Sequence, residues 1–412
     1  MKYLLLLIAC FAISFNGKAQ PGNQTIMGTT DSIQSKILNQ NRKFYIHIPN
    51  GNAAKQVVNK HYPVIYLFDA DAQFASVTSM VQYLSTNYNS LLPEMIVVGI
   101  LHTDRRKDLT PTHVASDPPF VNLDNGKSTG GGEQFISFVE KELIPYINSR
   151  YPTEPYKMLI GHSLGGLAVM QTFVHHPNLF NSYICIDPSM WWDKQTLLTE
   201  AKNALEKRNF EGTSLYLGVA NTAPTDMDIN KLPTDTAIGT IHMRNILKLQ
   251  GYFEKNKQNG LRYKGKYYES DSHMSVPFIT AYDGLRFLFD FYPLKINVKE
   301  AEHNTATQLI NKLKNHYSNA SKQLGYKVNP DEDMINELGH DLLQIKQYDK
   351  AKFLFEYYLE SCPESAVANE YLGDYYQAIN DTKNAIAYFK KSLTIKESPG
   401  IRKKLENLAK NK

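Results

Sequence analysis

The sequence predicts an α/β domain organised on a doubly wound, mostly parallel sheet, followed by a small all-helical module. Three observations carry that prediction. VIYLF at 64–68 and MIVVGIL at 95–101 are apolar on both faces, as strands are when helices cover both sides of a parallel sheet. The segments between such runs carry helical periodicity, seen in Phe135, Phe138, Val139, Ile144 and Ile147, and strands alternating with helices define an α/β domain. After Pro330 the composition shifts to helix formers that repeat with a fixed period.

In chain order, SKIL and then FYIHI before Pro49 read as the first strands, with VIYLF and MIVVGIL after them. KMLI at 157–160, SYICI at 182–186 and LYLGVA at 215–220 continue the set, a helix runs from about Gly165 to His175 before Pro177, and RYKGKYYE is strand-like. The α/β domain is expected over residues 20–295, a helical connector over 296–330 and the repeat module over 331–412; 412 residues exceed what one core usually organises. Within the module Leu338-Gly339 recurs as Leu372-Gly373, Ala351 as Ala385 and Phe355 as Phe389, each pair 34 apart. The small residues let paired helices approach closely and the phenylalanines fill the space between them; IRKKLENLAK at 401–410 reads as a capping helix. The pattern resembles tetratricopeptide repeats, which implies either a surface for a partner protein or a support for the domain before it.

Residues 1–19 carry Lys2, an apolar run from Tyr3 to Phe15, and small Gly17 and Ala19 ahead of a cut near Gln20. That is the pattern of an export signal, which places the mature protein in the periplasm or outside the cell. The run is shorter than the roughly 18 residues that a spanning helix needs, so no membrane span is expected. Leu7-Ile8-Ala9-Cys10 offers a lipoprotein-type alternative, disfavoured by the short stretch before Cys10. Loss of Lys2 and Lys18 lowers the formal charge from +4 to +2, and without a dense Lys/Arg block nucleic acid is not an expected partner. Cys185 and Cys362 remain, one in each proposed unit, so neither a disulfide framework nor a zinc site is expected. No metal or organic cofactor is implied.

Gly161-His162-Ser163-Leu164-Gly165 follows an apolar strand and opens a helix, the context that turns GxSxG into a nucleophile elbow. A Cβ at 161 or 165 would crowd the strained backbone that must push the Ser163 hydroxyl out above the sheet. A serine hydroxyl is a poor nucleophile unless a neighbouring base takes its proton. His273, in SDSHMSVP after RYKGKYYE, lies where the chain order nucleophile, acid, histidine expects that base. His242, in a helical stretch, and His102, His113, His175 and His176 read as structural or surface histidines. The acid is expected after LYLGVA, where Asp228 is preferred and Asp226 is the alternative; Asp271 would support, and a serine–histidine dyad stays open. Leu164 N–H supplies one donor to the developing oxyanion, and Ala70 or Asp71 N–H, in DADA after VIYLF, the second.

YPVIYLFDADAQF, TDRRKDLTP, LIGHSLGG, IDPSMWWD and SDSHMSVPFITAYDGLRFLF together resemble the putative-esterase family of the α/β hydrolases over residues 30–290. That family includes siderophore trilactone esterases and is similar to feruloyl and acetyl-xylan esterases and to S-formylglutathione hydrolase. The resemblance implies Ser163 as nucleophile and His273 as base, and suggests that Trp191 or Trp192 lines the acyl pocket, the alternative being a buried Trp used only for packing. Arg105 and Arg106 sit at the C-terminal edge of the sheet, where ligands of open α/β domains bind; Arg105 would hold an anionic group or else pair with Asp104 or Asp108. His162, Trp191, Trp192 and Arg105 are thus the candidate substrate contacts. The expected activity is hydrolysis of a small-molecule carboxylic ester through an acyl-enzyme, of siderophore type or, alternatively, feruloyl or acetyl carbohydrate type. The rival reading is an idle hydrolase scaffold whose helical repeats bind a partner protein.

Overall fold

The computed structural model describes residues 27–49, 60–86, 90–116, 120–225 and 227–410; the leader with Cys10, and Asp226, lie outside them. The runs that are apolar on both faces become the centre of an eight-stranded mixed sheet: β1 Thr29–Ser35, β2 Gln40–His47, β3 Tyr62–Leu67, β4 Ile96–Ile100, β5 Thr153–His162, β6 Ser182–Ile186, β7 Ser214–Ala220 and β8 Arg262–Tyr268. Their order is β1-β2-β4-β3-β5-β6-β7-β8. β1 and β2 run antiparallel at one edge, and every pair from β4 to β8 is parallel. Every residue of β3, β4 and β6 is buried, as strands covered on both faces require.

One expectation fails at the start. SKIL does not form a strand: β1 ends at Ser35, and the three residues after it turn through Asn39, whose φ is 50°. The Glu142 carboxylate accepts the Lys36 and Ile37 N–H groups (3.0 and 3.2 Å) and Ser35 Oγ accepts that of Leu38 (2.9 Å), so side chains rather than a neighbouring strand satisfy this backbone.

Helices α1 Ala70–Leu84, α2 Leu164–His175, α3 Trp192–Lys207, α4 Ile241–Lys255 and α5 Val276–Leu288 cover the sheet. α1 and α5 bury Phe74, Val77, Val81, Ala281 and Leu285 against one face, while α2, α3 and α4 bury Leu167, Met170, Leu198, Ile246 and Leu249 against the other. Both faces are therefore wound, and the loops that follow β3, β5, β6, β7 and β8 gather at one edge of the sheet. Among the described residues no helix is long and apolar enough to cross a membrane.

Beyond α5 the chain is helical: a short helix Val298–His303, then α6 Ala306–Leu324, α7 Glu332–Gln344, α8 Tyr348–Ser361, α9 Ala366–Ala378, α10 Thr382–Ile395 and α11 Pro399–Lys410. Thr305 and Gln308 form a reciprocal cap at the start of α6, and Gly325 ends it with φ 75°. Val328 packs against both the sheet-side core and the helical core. The two helical pairs repeat one contact: a Cβ on Gly339 would stand 2.1 Å from the Phe355 ring, and a Cβ on Gly373 2.5 Å from that of Phe389. Each ring fills the notch its glycine leaves. Gly339→Ala is accordingly expected to destabilise the helical module by about 1–3 kcal/mol through overpacking. Urea unfolding of the full chain checks this, and an unchanged midpoint would show that the notch has slack.

Candidate active site

β5 runs fully buried from Met158 into Gly161 and His162, and the chain then reverses in a single residue. Ser163 takes φ 60° and ψ −115°, a conformation sparsely populated by residues with a Cβ, and α2 starts at Leu164. Its backbone is over-determined: Ser163 N–H donates to Ile186 O (3.0 Å), and Ser163 O accepts from Ser189 N–H (3.1 Å) and from Leu167 N–H (2.9 Å). The flanking glycines are sterically required. A Cβ on Gly161 would lie 2.4 Å from Gly165 O, and one on Gly165 would lie 2.7 Å from an Asp69 carboxylate oxygen.

The loop after β8 brings His273 to this elbow. Its Nε2 lies 3.0 Å from Ser163 Oγ, and its Nδ1 lies 2.6 Å from Asp187 Oδ2. Asp187 is the residue that follows β6, with φ 40° and no solvent exposure, while the His273 side chain is 32% exposed. Burial alone would push the Asp187 carboxyl up. Hydrogen bonds from His242, His273 and the Ala220 N–H outweigh burial and hold it well below the usual carboxylate range. Such a chain can take a proton from a hydroxyl onto an imidazole whose opposite N–H already faces a fixed anion. Asp271 shapes the loop rather than touching His273: its backbone O accepts Asn221 N–H (2.8 Å) and its carboxylate accepts the Ser275 hydroxyl (2.9 Å).

The carboxylate that meets His273 is thus Asp187, after β6, rather than the Asp228 expected on the β7 loop, while Asp226 lies outside the described residues. Asp228 caps a 3-10 turn over Ile229–Thr234, accepting the Asn230 backbone N–H (2.9 Å) and side-chain amide (3.0 Å), so its carboxylate is spent locally. His242, expected to be a structural or surface histidine, is partly buried. It does lie on a helix, in the first turn of α4, but its Nε2 is 2.9 Å from Asp187 Oδ2 and its ring stands edge-on to that of His273 at 5.1 Å. A signal for Asp187 existed in the sequence: IDPSMWW sets a carboxylate directly after a strand buried on both faces, hence at the sheet edge without any loop to span.

The other expected residues divide. Leu164 and Ala70 open α2 and α1, so their N–H groups lack intrahelical acceptors, and the Gly165 to Asp69 approach sets the two helix starts side by side. Asp71, the next residue of α1, is exposed. Arg105 forks onto the Asp69 carboxylate through Nε (2.5 Å) and Nη2 (2.9 Å), and Nη2 also reaches His162 O (3.3 Å). Its partner is thus neither Asp104, which caps the helix Arg105–Leu109, nor Asp108, which binds the buried Arg42 and His102. His162 packs its ring 4.5 Å from that of His273; burial and the neighbouring His273 push its pKa down to about 4, so it stays neutral and does not compete with an imidazolium beside it. Trp192 and Trp191 are both buried; Trp192 donates Nε1–H to Thr112 Oγ1 (3.1 Å), and Trp191 packs against the exposed Phe120 ring, tilted 32° at 4.4 Å. Among the described residues Asp187, His242 and His273 are the one group whose ligand atoms lie near enough to hold a metal ion, and here they bond to one another.

An eight-stranded mixed sheet wound by helices on both faces, with this elbow at its edge, is an α/β-hydrolase fold. Within it the chain belongs to the family described as Putative esterase, whose model matches residues 35–237, and is a carboxylic-ester hydrolase. It is 32% identical over 206 residues to the ferri-bacillibactin esterase BesA of Bacillus subtilis, covering 47% of this chain and 70% of that protein. It is 29% identical over 164 residues to a siderophore triacetylfusarinine C esterase of Aspergillus fumigatus, covering 37% of this chain and 53% of the fungal one, and so spans about half of that relative's length. An IroE-like serine hydrolase from Shewanella oneidensis superposes with a TM-score of 0.67 at 29% identity, over 81% of this chain and 99% of that one.

Proposed function

We propose that this protein is an exported serine esterase that opens siderophore-type esters through an acyl-enzyme on Ser163. The observation that carries the reading is the unbroken hydrogen-bond chain from Ser163 Oγ through His273 to Asp187. Ser163 Oγ attacks the ester carbonyl as His273 Nε2 takes its proton, and Asp187 stabilises the imidazolium that results. Leu164 N–H and Ala70 N–H, or Asp71 N–H in its place, receive the charge developing on the carbonyl oxygen. His273 then returns the proton to the departing alcohol, and water, activated by the same base, frees the acid and restores Ser163.

The siderophore assignment rests on the two relatives above, one named as a ferri-bacillibactin esterase and the other as a siderophore triacetylfusarinine C esterase. The aromatic wall of Trp191 and Phe120 suits an aryl acyl group, and the 41% exposed Arg105 side chain suits an anionic one. The helical tail is read as two tetratricopeptide-like units with a capping helix, on the 34-residue spacing of Gly339 with Gly373 and Phe355 with Phe389. Its packing through Val328 favours a supporting role.

A panel of ferri-bacillibactin, triacetylfusarinine C, feruloyl sugar and acetyl-xylan esters tests the substrate class. The siderophore esters are expected to lead in kcat/KM by at least about 100-fold, the size of discrimination a shaped pocket supplies. A lead for the sugar esters would overturn the siderophore assignment and leave the hydrolase in place.

A further inference from the structure

Asp187 accepts more donors than the proton relay uses. Oδ1 takes the Ala220 N–H (2.9 Å), while Oδ2 takes two imidazoles, His273 Nδ1 (2.6 Å) and His242 Nε2 (2.9 Å). A carboxylate only accepts hydrogen bonds, so the His242 nitrogen facing it carries the hydrogen, and the tautomer follows from the partner. The Asp187 side chain has no solvent exposure and that of His242 has 13%, so these protein donors alone hold the anion.

His242 is also where the long segment between β7 and α4 is tied down. The Thr240 hydroxyl, two residues before it, is hydrogen-bonded to the Asp235 carboxylate, and Arg244, two residues after it, donates to Ala237 O (2.8 Å) and to Asp235 O (2.5 Å). His242 thus stands on a braced helix start with its donor aimed at the buried acid. Asp187 needs such a brace because it sits on a residue of positive φ at the end of β6, with β7 lying between that strand and β8, which leads into the His273 loop.

We propose that His242 is a positioning residue for the esterase: its Nε2–H pins Asp187 Oδ2 so that the carboxylate stays on His273 Nδ1–H as that ring takes up the serine proton. The inference rests on the reading of Ser163, His273 and Asp187 given above. His242 touches neither nucleophile nor substrate; it acts through Asp187. The Nε2–H is the group that matters. Glutamine can present an N–H at similar reach, and methionine fills a similar volume without one.

The test uses the full chain and p-nitrophenyl butyrate, with His242→Met, His242→Gln, Asp187→Ala and the double variant Asp187→Ala with His242→Met. His242→Met is expected to lower kcat by about 10- to 100-fold with KM within about twofold, and His242→Gln to keep kcat within about threefold of the wild type. In the Asp187→Ala background His242→Met is expected to cost less than about twofold more, since the two act as one unit. Equal losses in the Met and Gln variants would overturn the proposal, as would a full additional loss in the Asp187→Ala background. Melting curves accompany each variant; if His242→Met fails to fold, the comparison of His242→Gln with wild type in single-turnover acylation decides, a loss of tenfold or more refuting the pinning role and a near-wild-type rate supporting it. Ser163→Ala run alongside separates the two levels. Activity surviving in Ser163→Ala overturns the site itself, whereas a flat His242 series beside a dead Ser163→Ala overturns this inference alone.

Discussion

Ser163→Ala is expected to lower kcat for p-nitrophenyl butyrate by roughly four to six orders of magnitude while the protein still folds. In the proposed mechanism the hydroxyl is the atom that forms the acyl bond, and no neighbour is placed to substitute for it: Ser189 Oγ lies 3.5 Å from Ser163 Oγ, and no hydrogen bond joins Ser189 to His273 among the described residues. What survives should come from the N–H groups at the starts of α1 and α2, which still polarise a carbonyl that water attacks. The backbone adds a second readout. Ser163 holds φ 60° and ψ −115°, a conformation that costs on the order of 1–3 kcal/mol for a residue with a Cβ and much less for glycine. Ser163→Gly should therefore be as inactive as Ser163→Ala yet more stable in urea. If Ser163→Ala retained wild-type turnover, the nucleophile would have to be sought elsewhere.

Asp187→Asn is expected to lower kcat by roughly 10³- to 10⁴-fold with the fold retained, whereas Asp228→Asn stays within about twofold of wild type. An asparagine at 187 turns an acceptor into a mixed donor and acceptor, so it can hold His273 in the tautomer that carries its hydrogen on Nε2, facing the serine, where it cannot accept a proton. Loss of the charge also removes the anion that stabilises the imidazolium. Asp228 contributes only a turn cap, accepting from Asn230. Steady-state kinetics on both variants decide between the two carboxylates. A large loss in Asp228→Asn with little in Asp187→Asn would place the acid on the β7 loop after all.

Both experiments bear on a boundary that runs through the site. The elbow was legible because its determinants are local: an apolar strand, glycines where a Cβ would strike Gly165 O or the Asp69 carboxylate, and a helix directly after. His273 was legible from chain order, since the fold delivers one late loop to the same edge. The central strands and the paired helices were legible for the same reason, their burial being written in the period of their apolar residues.

The acid was not legible in that way. β6 and β7 end at the same edge and an aspartate follows each, so spacing along the chain does not say which carboxylate meets His273. The partner is set by how the loops lie: Asn221, just past β7, is bonded to Asp271 O and Glu269 O, and Asp228 caps a 3-10 turn instead of meeting the imidazole. The partners of Arg105 and His242 belong to the same class of fact, because Asp69 and Asp187 lie 36 and 55 positions away and meet them only across the folded edge. SKIL failed for a related reason, its backbone being claimed by Glu142 from across the domain. The sequence by itself thus determined the central strands, the elbow and the imidazole that meets its serine, where short-range sterics, periodic burial and chain order decide. Only the tertiary structure decided which carboxylate meets His273, the second imidazole on that carboxylate and the pairing of Arg105, because hydrogen-bond partnership at the sheet edge depends on distances in space that separation along the chain does not encode.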